Sequence, residues 1–153
     1  MNLYHKNSYY EGLLQDFYGG AKGCFSAFMH FFYQFNQSLV YQECEKELFE
    51  KLYNFELENC KMLSKMILSL GGDNKYYSSS KRFLSGINID YIKNFEQVLR
   101  LDIEILEVSV IDAKRLIAKI DNKNIKNELN EILKNKKNEL KILKDKYLQI
   151  KNI

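Results

Sequence analysis

The sequence predicts an all-α fold, a four-helix bundle with one long crossing between its second and third helices. Three observations carry that expectation. The 153 residues contain no proline, the residue that deletes a helical donor and clashes with the preceding turn. Apolar residues recur at spacings of three and four along four stretches, approximately 11–40, 42–70, 90–120 and 123–151, as a buried helix face requires. The links are unequal: two span only a few residues, and the middle one runs to about twenty. Short links make antiparallel neighbours, and a long one carries the chain from one end of a bundle toward the other. The length suits a single domain over residues 1–153, burying ~70% of its unfolded surface.

The first stretch places Phe17, Ala21, Cys24, Phe28, Phe31 and Phe35 on its inward seam. Its run "FSAFMHFFYQF" also puts Phe25, Phe32 and Tyr33 on other faces, which suits contact with a second copy. The earlier "GGAKG" lacks the Gly-x-x-x-x-Gly-Lys-Ser/Thr pattern and a preceding strand, so it reads as close packing rather than a phosphate loop. His30 lies off the seam and is expected at a surface or interface. The second stretch aligns Phe49, Leu52, Glu56, Asn59, Leu63, Met66 and Leu70, and ends on a glycine pair suited to a C-cap.

The link "GGDNKYYSSSKRFLSGINID" is rich in turn residues, with Asp90 or Asn88 expected to cap the third helix. The third seam runs Ile92, Phe95, Leu99, Asp102, Leu106, Ser109, Ala113, Leu116 and Ile120. After "DNKN" the fourth runs Ile125, Leu129, Ile132, Lys136, Glu139, Leu143 and Ile150.

Charge and cysteine usage narrow the function classes. Basic residues number 23 against 20 acidic, and the surplus sits in residues 121–153 as lysines alternating with acids. That pattern is a solvated helix face rather than a nucleic-acid surface. Three cysteines, an odd number, argue against a disulfide framework, and Cys44 and Cys60 are expected to point apart on one helix. No apolar run approaches the ~20 residues that span a bilayer. The N-terminal "MNLYHKNSYYEG" lacks a signal-peptide core. A cytoplasmic protein is expected. Cys24 and Cys60 read as small core residues, with no histidine placed to stabilise a thiolate.

Polar residues interrupt the seams near mid-helix: Glu56 and Asn59, Asp102, then Lys136 and Glu139. Such groups cost several kcal/mol unless paired. Four-helix bundles accept that cost for di-metal sites, built from a Glu on two helices and Glu-x-x-His on the other two. Positions 56/59 and 136/139 have the i, i+3 spacing.

At these residues the chain resembles the ferritin-like superfamily, in particular small rubrerythrin-type bacterial members. The likeness runs from about Tyr18 to Tyr147, through "YGGAKGCFSAFMHFFYQ", "LGGDNKYY", "FLSG" and "LDIEILE". The resemblance implies former metal-site positions at Cys24, Glu56, Asn59, Leu106, Lys136 and Glu139. Only Glu56 keeps the family's residue type. Cys24 and Leu106 stand for glutamates, Asn59 for a histidine, and Lys136 and Glu139 for the last Glu-x-x-His. His5 and His30, the chain's two histidines, fall outside these positions. No cofactor is expected, and Lys136 is expected to sit where cations would, between Glu56 and Glu139, with Asn59 and Asp102 as hydrogen-bond partners.

The leading expectation is therefore a non-catalytic structural or interaction protein, self-associating as a homodimer, with no nucleic-acid or membrane partner. The alternative keeps metal: Glu56, Glu139 and Glu104 or Glu107 would hold iron or manganese in an oxidoreductase-like or iron-handling protein, with Cys24 as a soft ligand. A small apolar ligand in a vacated centre is the third possibility.

Overall fold

The structure, a computed structural model, describes residues 5–41 and 45–152. Cys44 and the expected start of the second helix at residue 42 lie outside the described residues. The helices are α1 (Ser8–Gly19), α2 (Cys24–Tyr41), α3 (Lys46–Ser69), α4 (Phe95–Lys119) and α5 (Lys123–Lys151). Helices α2 and α3 form one packed pair and α4 and α5 the other, with α3 against α5 joining them. The all-α bundle with its long crossover is as the sequence predicts.

The first stretch departs from expectation: it is two helices, broken between Gly19 and Cys24. Gly20 is extended (φ −71°, ψ 163°) and its N–H caps α1 by donating to the Asp16 carbonyl. The glycines here tolerate contacts that no side chain would. A Cβ on Gly19 would sit 2.4 Å from the Tyr77 carbonyl oxygen, on Gly20 2.5 Å from that of Asp16, and on Gly23 2.7 Å from that of Phe17. Ala21, expected on the seam, lies exposed in the break. The seam of α2 is also rotated: Ala27, Gln34 and Ser38 are buried beside Cys24 and Phe31, whereas Phe28 and Phe35 are half-buried.

Capping sets the other ends. Asn7 accepts from the Tyr10 N–H to start α1. Helix α3 ends in a glycine-terminated turn, with Gly71 left-handed at φ 85°. There the Gly72 N–H reaches the Ile67 carbonyl and the Gly71 N–H that of Leu68, which satisfies carbonyls the helix itself leaves orphaned. Asn94, not Asp90 or Asn88, caps α4 by accepting from the Gln97 N–H. The third helix thus starts at Phe95 rather than near residue 90, because Asn88 is already used in a 3-10 turn, Gly86–Asn88, where its Oδ1 accepts from the Ser85 N–H. Asn122 caps α5.

The crossover is a packed arm. Residues Tyr77 and Phe83 pair across a short hairpin, and buried Gln15 of α1 donates to the carbonyls of Lys75 and Tyr77, both at 2.8 Å. Asp16 accepts from the Ser79 N–H and hydroxyl. Two apolar clusters result. One centres on Leu14, Phe17, Leu63, Met66 and Ile125, the other on Phe31, Phe49, Leu52, Leu99 and Leu143. Most lysines of α5 lie on its wet face, several paired with acids, as Lys144 is with Glu107 and Lys151 with Glu96.

The break can be tested by contrast. Gly19→Ala drives a methyl against the Tyr77 backbone and is expected to cost ~1–3 kcal/mol. Gly12→Ala, whose Cβ would meet only Ser79 at 3.9 Å, is expected to gain ~0.5–1 kcal/mol. Urea unfolding midpoints of the two variants measure both.

Candidate functional site: a buried ammonium at the bundle centre

Between the two apolar clusters α3 and α5 bring their polar seam residues together. On α3, Glu56 lies between the buried Leu52 and Leu63; on α5, Lys136 and Glu139 lie between Ile132 and Leu143. Helical spacing alone puts these groups inside, and each is 0% exposed. Lys136 Nζ donates to both oxygens of Glu56, at 2.6 and 2.8 Å. The sequence expectation of an internal lysine is met. Asn59 joins the network: its Nδ2 donates to Glu56 at 3.4 Å, and its Oδ1 accepts from Asn135 at 2.8 Å. Phe17 lies 5.8 Å from the ammonium, ring centroid to Nζ. Asn135 had no place in the sequence reading. Being next to Lys136 on a helix, it falls off the inward seam, and only the approach of α3 gives it a partner.

Burial alone would lower the Lys136 pKa, but Cys24, Glu56 and Glu139 around it outweigh that effect and raise it. The short contacts to Glu56 are the physical cause, because burial pushes the Cys24 thiol up to about 12 despite the nearby Lys136, which keeps it uncharged at neutral pH. Burial likewise raises the Cys60 thiol, with the neighbouring Cys24 adding to it. Both cysteines are buried and free, as expected of core residues.

Glu139 differs from Glu56. Neither of its oxygens has a hydrogen-bond partner among the described residues. Burial pushes its carboxyl well above the usual range; Glu56 adds to that, and Lys136 only partly opposes it. The direction of that shift favours the protonated form of Glu139 beside the Lys136–Glu56 pair, because a second buried carboxylate would lack a counter-charge. Asp102, expected as a partner of this cluster, is instead bonded by Gln34, whose Nε2 donates to Oδ1 at 2.7 Å. Its carboxyl is also raised by burial, with the Gln34 hydrogen bond pulling the other way.

The remaining expected positions divide. Cys24 and Leu106 are fully buried. Glu104 and Glu107 are exposed, and Glu107 pairs with Lys144 at 3.1 Å. No shift of the seam brings them inward, because Leu106 and Asp102 occupy the inward positions of α4. The four-carboxylate grouping of Glu56, Glu104, Glu107 and Glu139 is therefore not assembled. His30 is corrected as well. It is buried, with Nδ1 2.8 Å from the Ser26 carbonyl and Nε2 accepting from the Asp90 N–H at 3.1 Å.

The assembled residues do not fit a pair of metal ions. An ammonium has donors only, Leu106 offers nothing, and Cys24 is a protonated thiol. Asn59 already spends its amide on Glu56 and Asn135, and no imidazole faces the centre. Among the described residues no group of three His, Cys, Asp or Glu is placed to hold a metal ion.

A bundle of two helix pairs joined by a long crossover, with polar groups of facing helices meeting at its centre, has the ferritin-like fold. Comparison with solved structures agrees. Two crystal structures of KatB, a manganese catalase from Anabaena, one of the wild type and one from Anabaena PCC7120, match with a TM-score of 0.86 each. Each match covers 97% of this chain and 75% of the other, at 17% sequence identity. At that identity the likeness concerns the fold. No family model matches the chain, and no curated protein matches its sequence.

Two predictions follow from the pairing. Lys136→Met leaves Glu56 buried without its counter-charge and is expected to cost ~3–5 kcal/mol, while a triple variant that also makes Glu56 and Glu139 apolar recovers most of it. Equal loss in both variants, measured by urea unfolding, would contradict a paired cluster. The second concerns pH. Glu139 and Asp102 bind a proton more tightly folded than unfolded, so stability falls as pH rises above their unfolded values and on toward the folded ones. Glu139→Gln is expected to flatten that decline and to exceed the parent in stability on the alkaline side, read from unfolding midpoints between about pH 5 and pH 9.

Proposed function

We propose that this chain is a non-catalytic ferritin-like bundle whose role is structural or interactive, and that an internal ammonium has taken the place that metal ions hold in its relatives. The observation that carries the reading is Lys136, fully buried and held by both oxygens of Glu56. The sequence motifs favour a kinship with small rubrerythrin-type proteins, and the fold likeness to a manganese catalase is compatible with that descent. Manganese or iron would have to expel Lys136 from its contacts with Glu56 and would find no imidazole.

The test is chemical. Protein prepared with manganese or iron in excess is expected to carry far less than one ion per chain by elemental analysis, and to leave hydrogen peroxide untouched. Two ions per chain, or peroxide breakdown that disappears in Glu56→Ala, would overturn the proposal.

Self-association is part of the same reading. Phe32, Leu39, Val40 and Tyr41 of α2 are 44–74% exposed, an apolar strip of the kind that suits contact between copies. Phe25 stacks on Tyr76, Tyr33 packs edge-on against Tyr91, and Phe32 lies against Phe28 and Tyr53; of the three only Phe32 is exposed, which makes it the aromatic of the strip. No described helix is long and apolar enough to cross a membrane, and the lysines of α5 lie among acids, so neither a membrane nor a nucleic acid is proposed as partner. Sedimentation at micromolar concentration is expected to show a dimer that Val40→Lys weakens; a monomer at that concentration would remove this part of the proposal.

A further inference from the structure

The crossover is fastened to the helices near both of its ends, by groups of different kinds. Near its start the Gln15 amide donates to the carbonyls of Lys75 and Tyr77, both at 2.8 Å. An amide neither gains nor loses a proton near neutral pH. Near its end the fastening is His30, 4% exposed, on a helix whose sequence holds no lysine, arginine, aspartate or glutamate. Its Nε2 accepts from the Asp90 N–H at 3.1 Å, and its Nδ1 lies 2.8 Å from the Ser26 carbonyl. A backbone N–H only donates and a carbonyl only accepts, so the ring is neutral with its proton on Nδ1.

This arrangement holds only while the ring is uncharged. An imidazolium carries a proton on both nitrogens, and at Nε2 it would meet the Asp90 N–H donor against donor. The acceptor that relieves the conflict is close by. The carboxylate of the same residue stands 3.7 Å from Nε2, on a side chain 65% exposed. His30 also lines a cleft of about 390 Å³ between α2, the crossover and α4, which gives water a route to the ring. The charged groups facing it there are Asp90 from the crossover, Glu104 from α4 and Lys22 from the break before α2. Two acids against one lysine favour an added positive charge.

The neighbouring residues turn that exchange into movement. Ile89 is buried and serves as a pivot. Beyond Asp90, the Ile92 N–H is bonded to the Asp90 carbonyl at 3.0 Å, and the Tyr91 ring packs edge-on against Tyr33 of α2, centroids 5.0 Å apart. Replacing the Asp90 N–H by its carboxylate turns the Ile89–Asp90 peptide, and Tyr91 follows.

We propose that His30 is a proton-operated catch for the end of the crossover: uncharged, it accepts the Asp90 N–H; protonated from solvent at Nε2, it donates to the Asp90 carboxylate, and Tyr91 is carried off Tyr33. Acid thereby opens this side of the cleft while the Gln15 fastening stays closed. The catch is independent of Lys136, so it stands or falls separately from the reading of the bundle centre.

The experiment is NMR of the isotope-labelled full chain from about pH 8 to about pH 5, in a His5→Gln background that leaves His30 the one histidine. Imidazole spectra are expected to show a proton on Nδ1 alone at the upper end and on both nitrogens at the lower. Over the same titration the Asp90 amide is expected to lose protection from hydrogen exchange by about tenfold or more, and the Tyr33–Tyr91 contact to disappear. The Leu84 amide, bonded to the Tyr76 carbonyl, keeps its protection. His30→Gln is expected to abolish the pH dependence at Asp90. Asp90→Asn alters an exposed side chain and keeps the backbone N–H. It is expected to match the parent at the alkaline end and, without a carboxylate to take the protonated ring, to lose about tenfold more protection at the Ile92 amide in acid. A proton on Nε2 at the alkaline end, Asp90 protection unchanged while His30 titrates, a ring still neutral at about pH 5, or an Asp90→Asn variant that matches the parent in acid would each overturn the proposal.

Discussion

The ion pair between Lys136 and Glu56 is the constraint around which the bundle is organised. Its partners sit on helices far apart in sequence, so it forms only when α3 and α5 pack in one relative register. A slip by one turn would put an ammonium against leucine and leave a carboxylate alone, a penalty of several kcal/mol. Apolar layers above and below tolerate small shifts, because leucine on leucine is nearly the same a turn away. The polar layer does not. Buried charge here selects an arrangement more than it adds to stability.

The same pair sets the electrostatics of the bundle centre. A ferritin-like centre places inward side chains from facing helices where cations can be held. Here the positive charge beside Glu56 is the ammonium of Lys136, held at 2.6 and 2.8 Å. Glu139 then has no counter-charge of its own, and burial raises its carboxyl and that of Asp102, which is bonded to Gln34 one turn from Leu106. The interior thus accommodates three carboxyl groups with a single ammonium.

Much of this was legible in the residues. The absence of proline, the three-and-four spacing and the unequal links were enough for the all-α bundle and its crossover. The inward positions on the last three stretches, from Phe49 to Leu70, from Leu99 to Ile120 and from Ile125 to Leu143, are buried as the periodicity implies. The first stretch misled because its aromatic run continues the helical spacing across Gly20–Gly23. Glycine in a helix costs only about 1 kcal/mol, so a break there is not evident until the Tyr77 backbone is found pressed against Gly19. His30 misled for a related reason. A residue off the seam is exposed only if nothing covers it, and the crossover, with Asp90, does.

By itself, the sequence determined which faces of the helices are apolar and that charged groups must enter the interior, since periodicity is a local property of the chain. Tertiary structure decided which of those charges meet. That Glu56 takes the lysine while Glu139 goes without, that Asn135 reaches Asn59, and that Asp102 belongs to Gln34 are matters of distances between helices, and no spacing along one helix encodes the approach of another.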